Sequence, residues 1–276
     1  MNNNTFNFSR FGKYYVSDLK NTFNNTWLTV LLTSLSGLIA YLFCGTIHLL
    51  FNGEWDSYGL VGRSISFFIL LYVLIIIVPS KAYGFFTDKR RGSFFTLIPA
   101  SSLEKFLAMF INTAILAPLA YLAIALSADT LLCLIDPNCG ETLVSAGARG
   151  TQAFNDLCDI AEEEAEFRIF SSGELFWGVA INTISWTLIF LLGALYFKKN
   201  KIGKTILVMI LISMATSIIT TPLTIHFGEG FINWLSDMDD PQRMLNSIKA
   251  ASYSLSIIVT VALGVWAYIR VRTVKH

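Results

Sequence analysis

Ser64–Phe106 reads SISFFILLYVLIIIVPSKAYGFFTDKRRGSFFTLIPASSLEKF. It opens on an apolar run, Ser64 to Val78, crosses a polar stretch rich in cations, and ends at a helix start that leads into another apolar run. The same alternation recurs along the chain. Six blocks are apolar enough to cross ~30 Å of hydrocarbon, which takes about 20 helical residues: roughly Trp27–Phe51, Ser64–Val78, Phe106–Ser127, Leu175–Phe197, Ile206–Ile225 and Ala250–Ile269. None shows the period-two alternation of a barrel strand, so helices are expected. Only 14% of the 276 residues are charged, where soluble domains are about a quarter charged. The predicted fold is an all-α integral membrane protein with six transmembrane helices. Residues 27–276 would form a single six-helix domain and residues 1–26 an interfacial helix ahead of it. The shortest block, Ser64–Val78, would span by letting Arg63 and Lys81 snorkel outward from its ends. Residues 1–26 lack the short apolar core and cleavage site of a signal peptide, so the first span is expected to serve as its own targeting signal.

Charge sets the orientation. Residues 1–26, 79–105, 198–205 and 270–276 hold 15 of the 20 basic residues and three acids, Asp18, Asp88 and Glu104. The opposite side holds 5 basic residues and 16 of the 19 acids. Positive charge marks the cytoplasmic side, which puts both termini inside. A net charge of +1 carries no information about partners, because the charges are segregated, and no nucleic-acid partner is expected. Within residues 6–23, Phe8, Phe11, Tyr15, Leu19 and Phe23 recur at three- and four-residue spacing, with Arg10, Lys13 and Lys20 elsewhere on the wheel. That is the pattern of an amphipathic helix in the inner interface, or of an ordinary juxtamembrane anchor.

The extracytoplasmic loop 136–174 carries nine acids, and its part from residue 153 on is expected to be helical. An acidic face there can attract a cationic ligand, but such runs are more often solvated helix faces. Cys133, Cys139 and Cys158 lie on this side, and a Cys139–Cys158 bridge would clip the loop, with the third cysteine leaving the connectivity open. No histidine is near enough in sequence to complete a metal set, so no metal is expected. The outer segment 226–249, with Phe231, Ile232, Trp234 and Leu235, reads as a half-buried hairpin at the membrane face.

Catalytic motifs are missing. There is no P-loop, no His-Glu-x-x-His and no Gly-x-Ser-x-Gly. The blocks as drawn contain no Asp, Glu, Lys or Arg, and proton-coupled carriers keep such groups near the midplane. An enzyme, a cofactor or a proton-coupled transporter is therefore not expected. The spans carry packing material instead: Thr29, Thr33 and Gly37; Ser213, Ser217 and Thr221; Ser252, Ser256, Thr260 and Gly264. Such small-residue faces suit close helix contacts, within one subunit or at a dimer seam. Asn112 and Asn182 add polar groups to the third and fourth spans, and Pro118 and Pro222 are expected kink sites. A path lined by neutral polar and aromatic groups fits an amphipathic or lipidic substrate better than a bare ion.

The polar segment 81–105 is the one most like a partner surface. Lys89, Arg90 and Arg91 precede Phe94 and Phe95; Pro99 and Ala100 form a stiff hinge; Ser101 and Glu104 are spaced as a capping box. Arg90 and Arg91 suit acidic groups on a partner and the two phenylalanines a groove. Anionic headgroups and the membrane interface would equally satisfy them.

Leu97-Ile98-Pro99-Ala100-Ser101-Ser102-Leu103-Glu104-Lys105-Phe106 resembles the L-P-A-S-x-x-E-K segment found after the second span in a group of bacterial permease subunits of ABC-two type ATP-binding-cassette transporters. This chain carries Ile98 as an extra residue between the leucine and the proline. It also has its larger outer loop between spans three and four, where well-understood exporters of that family often place theirs between spans five and six. The resemblance implies a permease that dimerises with a like or unlike second subunit in the bacterial cytoplasmic membrane and exports its substrate. Separate ATPase subunits would dock on Arg90, Arg91, Phe94, Phe95, Pro99, Ala100, Ser101, Glu104 and Lys105, beside the N-terminal helix. The alternative is a non-transporting scaffold or sensor with a ligand-binding acidic outer loop.

Overall fold

A computed structural model describes residues 6–54, 59–87, 92, 95, 97–165, 171–236 and 241–273. All regular structure among them is helical. Six helices are long and apolar enough to cross a membrane, the signature of a multi-pass membrane protein.

Helix α1, Phe8–Asn52, is one element of 45 residues. At about 1.5 Å per residue it is far longer than a bilayer core. The interfacial segment and the first span, expected to be separate, are therefore continuous. No proline or glycine pair interrupts the run between them. The buried face of α1 is mostly small and polar, with Phe11 and Tyr15 packed at its edge. Tyr14, Asp18, Thr22, Thr26, Thr29, Ser34, Tyr41 and Gly45 are buried, whereas Phe8 and Phe23 are exposed. The spacing is near four, so these residues form one stripe. In hydrocarbon the small and polar stripe turns inward and the apolar surface turns out, because lipid offers no hydrogen bonds.

Helix α2, Leu60–Tyr83, continues through Pro79 and runs for 24 residues, long enough to span without snorkelling. A short 3-10 turn, Gly84–Thr87, follows. Helix α3 covers Ser102–Ile135. Its Ile111–Leu116 portion is π-helical, just ahead of Pro118. The missing amide of a proline breaks the regular ladder, and here the irregularity expected at Pro118 is taken up one turn earlier, placing Asn112 and Thr113 inside.

Helix α4, Leu143–Ala165, is the helix of the acidic loop and starts ten residues before the expected point. Helix α5, Ser172–Tyr196, begins with a second capping box, Ser171 with Glu174. Helix α6, Lys201–Ser236, continues as helix well past Ile225, and α7, Pro241–Thr273, starts soon after. The segment 226–249 is mostly the end of α6 and the start of α7; the side chains of Phe231, Ile232, Trp234 and Leu235 lie outside the described residues. In the bundle α1 packs on α2 and α3, α2 also on α5, and α5 on α7, while α6 touches chiefly α5.

Candidate functional site

The bundle has a basic end, carrying the α2–α3 and α5–α6 connections, and an acidic end. Three polar clusters run between α1, α2 and α3 from one to the other.

At the basic end, Ser101 caps α3, accepting from the Glu104 amide at 3.3 Å while the Glu104 carboxylate accepts from the Ser101 amide at 2.9 Å. The capping box read from the sequence is present. Glu104 does more than cap. It is fully buried, and its oxygens accept from the Asn7 amide at 2.9 Å, from Arg10 Nη2 at 2.7 Å and from Arg10 Nε at 2.9 and 3.2 Å. Asn7 in turn caps α1. One carboxylate therefore ties the first turn of α1 to the first turn of α3. Nothing local in the sequence links Arg10 to Glu104, 94 positions away.

Lys105 is buried and donates to the Phe95 carbonyl at 2.7 Å, with its ammonium 4.9 Å from the Phe95 ring centre. Phe95 is itself 5% exposed and packs edge-on to Phe86 at 5.1 Å. This corrects the reading of Phe95 as a ring offered to a partner: it is a core anchor that seats the connecting segment on the protein's own surface. Gly84 and Thr87, where the α2–α3 connection begins, bond to the α5–α6 turn. Lys201 donates to the Gly84 carbonyl, and Thr87 donates to the Phe197 carbonyl at 3.2 Å, so the α5–α6 turn is attached to it. Pro99 and Ala100 form the bend before the cap, with the Ala100 amide donating to the Ile98 carbonyl at 2.8 Å. Arg90, Arg91 and Phe94 lie outside the described residues.

Between the ends, Asp18 accepts from Tyr83 at 2.7 Å and from Asn112 at 2.9 Å, and Asn112 also donates to the Tyr83 hydroxyl at 3.0 Å. Thr22 donates to the same hydroxyl at 3.2 Å. All four are buried. Asn112 reaches this point because the π-helical portion of α3 turns it inward.

At the acidic end, Arg63 does not snorkel outward. It is 4% exposed and pairs with Asp129 at 2.5 Å. Its other Nη donates to the carbonyls of Cys139 and Glu141 at 2.8 and 2.7 Å. Asp129 also accepts from the Leu143 amide, 2.6 Å away at the start of α4. Taking a charge out of water costs several kcal/mol unless it is paired and its remaining donors are occupied; here the carboxylate and two carbonyls supply partners for both terminal nitrogens, while the buried Nε has none among the described residues. The Cys139 carbonyl belongs to a turn closed by a Cys133–Cys139 disulfide, with Cα atoms 5.0 Å apart, and Glu141 follows it. The Cys139–Cys158 pairing is thus corrected. Cys133 lies on the last turn of α3 and the chain folds back immediately at Asp136–Gly140, bringing Cys139 to it. Cys158 is a buried free thiol. A charged residue at each of two block ends, Arg63 and Asp129, was the available signal, since such groups are costly at membrane depth.

No protein-family model, curated protein or solved structure matches the chain.

Proposed function

We propose that this chain is the membrane-spanning permease subunit of an ATP-driven transporter in a bacterial cytoplasmic membrane. On this reading it pairs with a second permease subunit and exports an amphipathic or lipidic substrate. Separate ATP-binding-cassette ATPase subunits dock on the segment between α2 and α3. The observation that carries the proposal is the Glu104 clamp. A push on the connecting segment enters the N-cap of α3, and through Asn7 and Arg10 it enters α1 at the same carboxylate. Few arrangements would transmit a displacement into two spanning helices with less slack, because a charge-assisted, multiply bonded carboxylate holds its geometry.

The surface offered to the ATPase is then Arg90, Arg91 and Phe94, with Phe95 and Lys105 holding the segment down from beneath. An apolar cavity of about 540 Å³ between α5, α6 and α7 supports an amphipathic or lipidic cargo, being of a size typical of small-molecule sites. The test is co-purification. Phe94→Asp or Arg91→Glu should leave the chain in the membrane and abolish recovery of an ATPase subunit with it. Unchanged recovery in both variants would overturn the docking assignment, and recovery of no ATPase with the wild type would favour a scaffold or sensor.

A further inference from the structure

The cavity between α5, α6 and α7 has a charged mouth. Its walls are almost wholly apolar, with Leu192, Val208, Ile212 and Leu263 among them. At the basic end they finish in the rings of Tyr196, Phe197 and Trp266. Arg270 stacks on the Tyr196 ring at 4.3 Å, and Lys204 lies 6.0 Å from the centre of the Phe197 ring. Trp266 donates its indole N–H to the Tyr196 hydroxyl at 2.8 Å, so the ring beneath Arg270 is held in place. Among the described residues no carboxylate lies within ion-pair distance of Lys204 or Arg270.

The geometry points to a binding site for an anionic membrane phospholipid, with an acyl chain in the cavity and the headgroup phosphate between Lys204 and Arg270. Two observations converge on this occupant. The first is an apolar slot between α5, α6 and α7, whose α6 wall is hardly covered by the rest of the bundle. The second is a pair of cations without carboxylate partners, anchored on the slot's own aromatic rim at the end where the chain concentrates its basic residues. Basic pockets between spanning helices recognise anionic headgroups in this way, and aromatic rings sit at headgroup level. A zwitterionic headgroup would bring its own cation into the same place and lose the advantage. The inference stands on the membrane-spanning fold and does not depend on an ATPase.

The experiment uses the full chain, without any ATPase, in bilayers of unbrominated phosphatidylcholine replaced stepwise by dibrominated phosphatidylglycerol, with dibrominated phosphatidylcholine in its place as the control. Quenching of Trp266, taken as the difference between wild type and Trp266→Phe, reports which lipid lies against the cavity rim. The anionic lipid should be preferred by roughly 25-fold, about fivefold for each cation. Lys204→Gln with Arg270→Gln should bring the preference close to one, and the charge-conserving Lys204→Arg with Arg270→Lys should keep it. Equal affinity in the wild type, preference unchanged in the neutral pair, or loss in the charge-conserving pair would each overturn the site. Failure here leaves the docking proposal intact, and failure of co-purification leaves this one intact.

Discussion

Between α1, α2 and α3, buried polar side chains cross the helix contacts at both ends and in between: Arg10 to Glu104, Asp18 to Tyr83 and Asn112, Arg63 to Asp129. Between α5 and α7 the polar links are fewer. Among the described residues they are the Ser185–Thr260 hydroxyl pair at 2.6 Å, the Trp266–Tyr196 bond, Arg270 on the Leu195 carbonyl, and Lys249 and Tyr253 on Glu174 at the acidic end. Burial sets α6 and α7 apart from the other four spanning helices, α5 being covered as much as α1, at 28%. Of the most apolar window of α3, 44% is buried, against 11% for α7 and 6% for α6. A charged or multiply bonded group at membrane depth has no water to exchange with, so its geometry is held. An apolar contact can be traded for lipid at little cost. The polar cross-links thus fix α1, α2 and α3 to one another, while α6 and α7 are held mainly by apolar contacts.

That contrast breaks first at Arg63. Arg63→Ala leaves Asp129 buried without its counter-charge and should cost roughly 3–5 kcal/mol, read from unfolding of the purified protein in detergent. Arg63→Leu combined with Asp129→Leu should recover most of it. A stable Arg63→Ala protein would show that the pair does not organise this end.

A smaller effect is expected at Gly193 on α5, where any side chain would run into Thr205 at the start of α6. Gly193→Ala should cost about 1–3 kcal/mol by overpacking, toward the low end because little of α6 is buried. Adding Thr205→Ala should relieve it; no relief would place the strain elsewhere. Ser101→Ala removes the α3 cap and should cost about 1 kcal/mol, with faster amide hydrogen exchange confined to the first turn of α3. Exchange accelerating along the whole helix would mean the cap is not a local device. The least is expected in the second half. Ser185→Ala breaks the hydroxyl pair and should cost about 0.6 kcal/mol, the mean for such bonds in membranes. A loss as large as that at Arg63 would erase the contrast between the halves.

Much of the fold could be read without coordinates. The apolar blocks predict six spanning helices, and six helices have the required length and composition. The Ser101–Glu104 spacing predicts a capping box that is present, and Ser171–Glu174, equally plain in the chain, forms another. The small-residue stripes were read with mixed outcome. Thr29 is buried in the α1 stripe and Thr260 reaches Ser185. On α6, however, Ser213 and Thr221 bond their own helix and stay exposed. A stripe shows that a face could pack closely, not that a partner face is there. The candidate site was legible only as a segment. That Glu104 would take Arg10, or that Phe95 would turn inward beneath Lys105, depends on how two distant helices are rotated toward each other.

The chain by itself determined what is local: helix number, length and caps, because each follows from apolar content and hydrogen bonding within a few turns. Tertiary structure decided which polar groups meet. It turned Arg63 inward to Asp129 rather than outward to the interface. It joined Cys139 to Cys133, six positions earlier, and made the polar stripe of α1 the buried one. A hydrophobic helix can be rotated or slid against its neighbours with little change in apolar burial. The few charges and hydroxyls therefore select the register, and they do so only once their partners are brought within hydrogen-bonding distance.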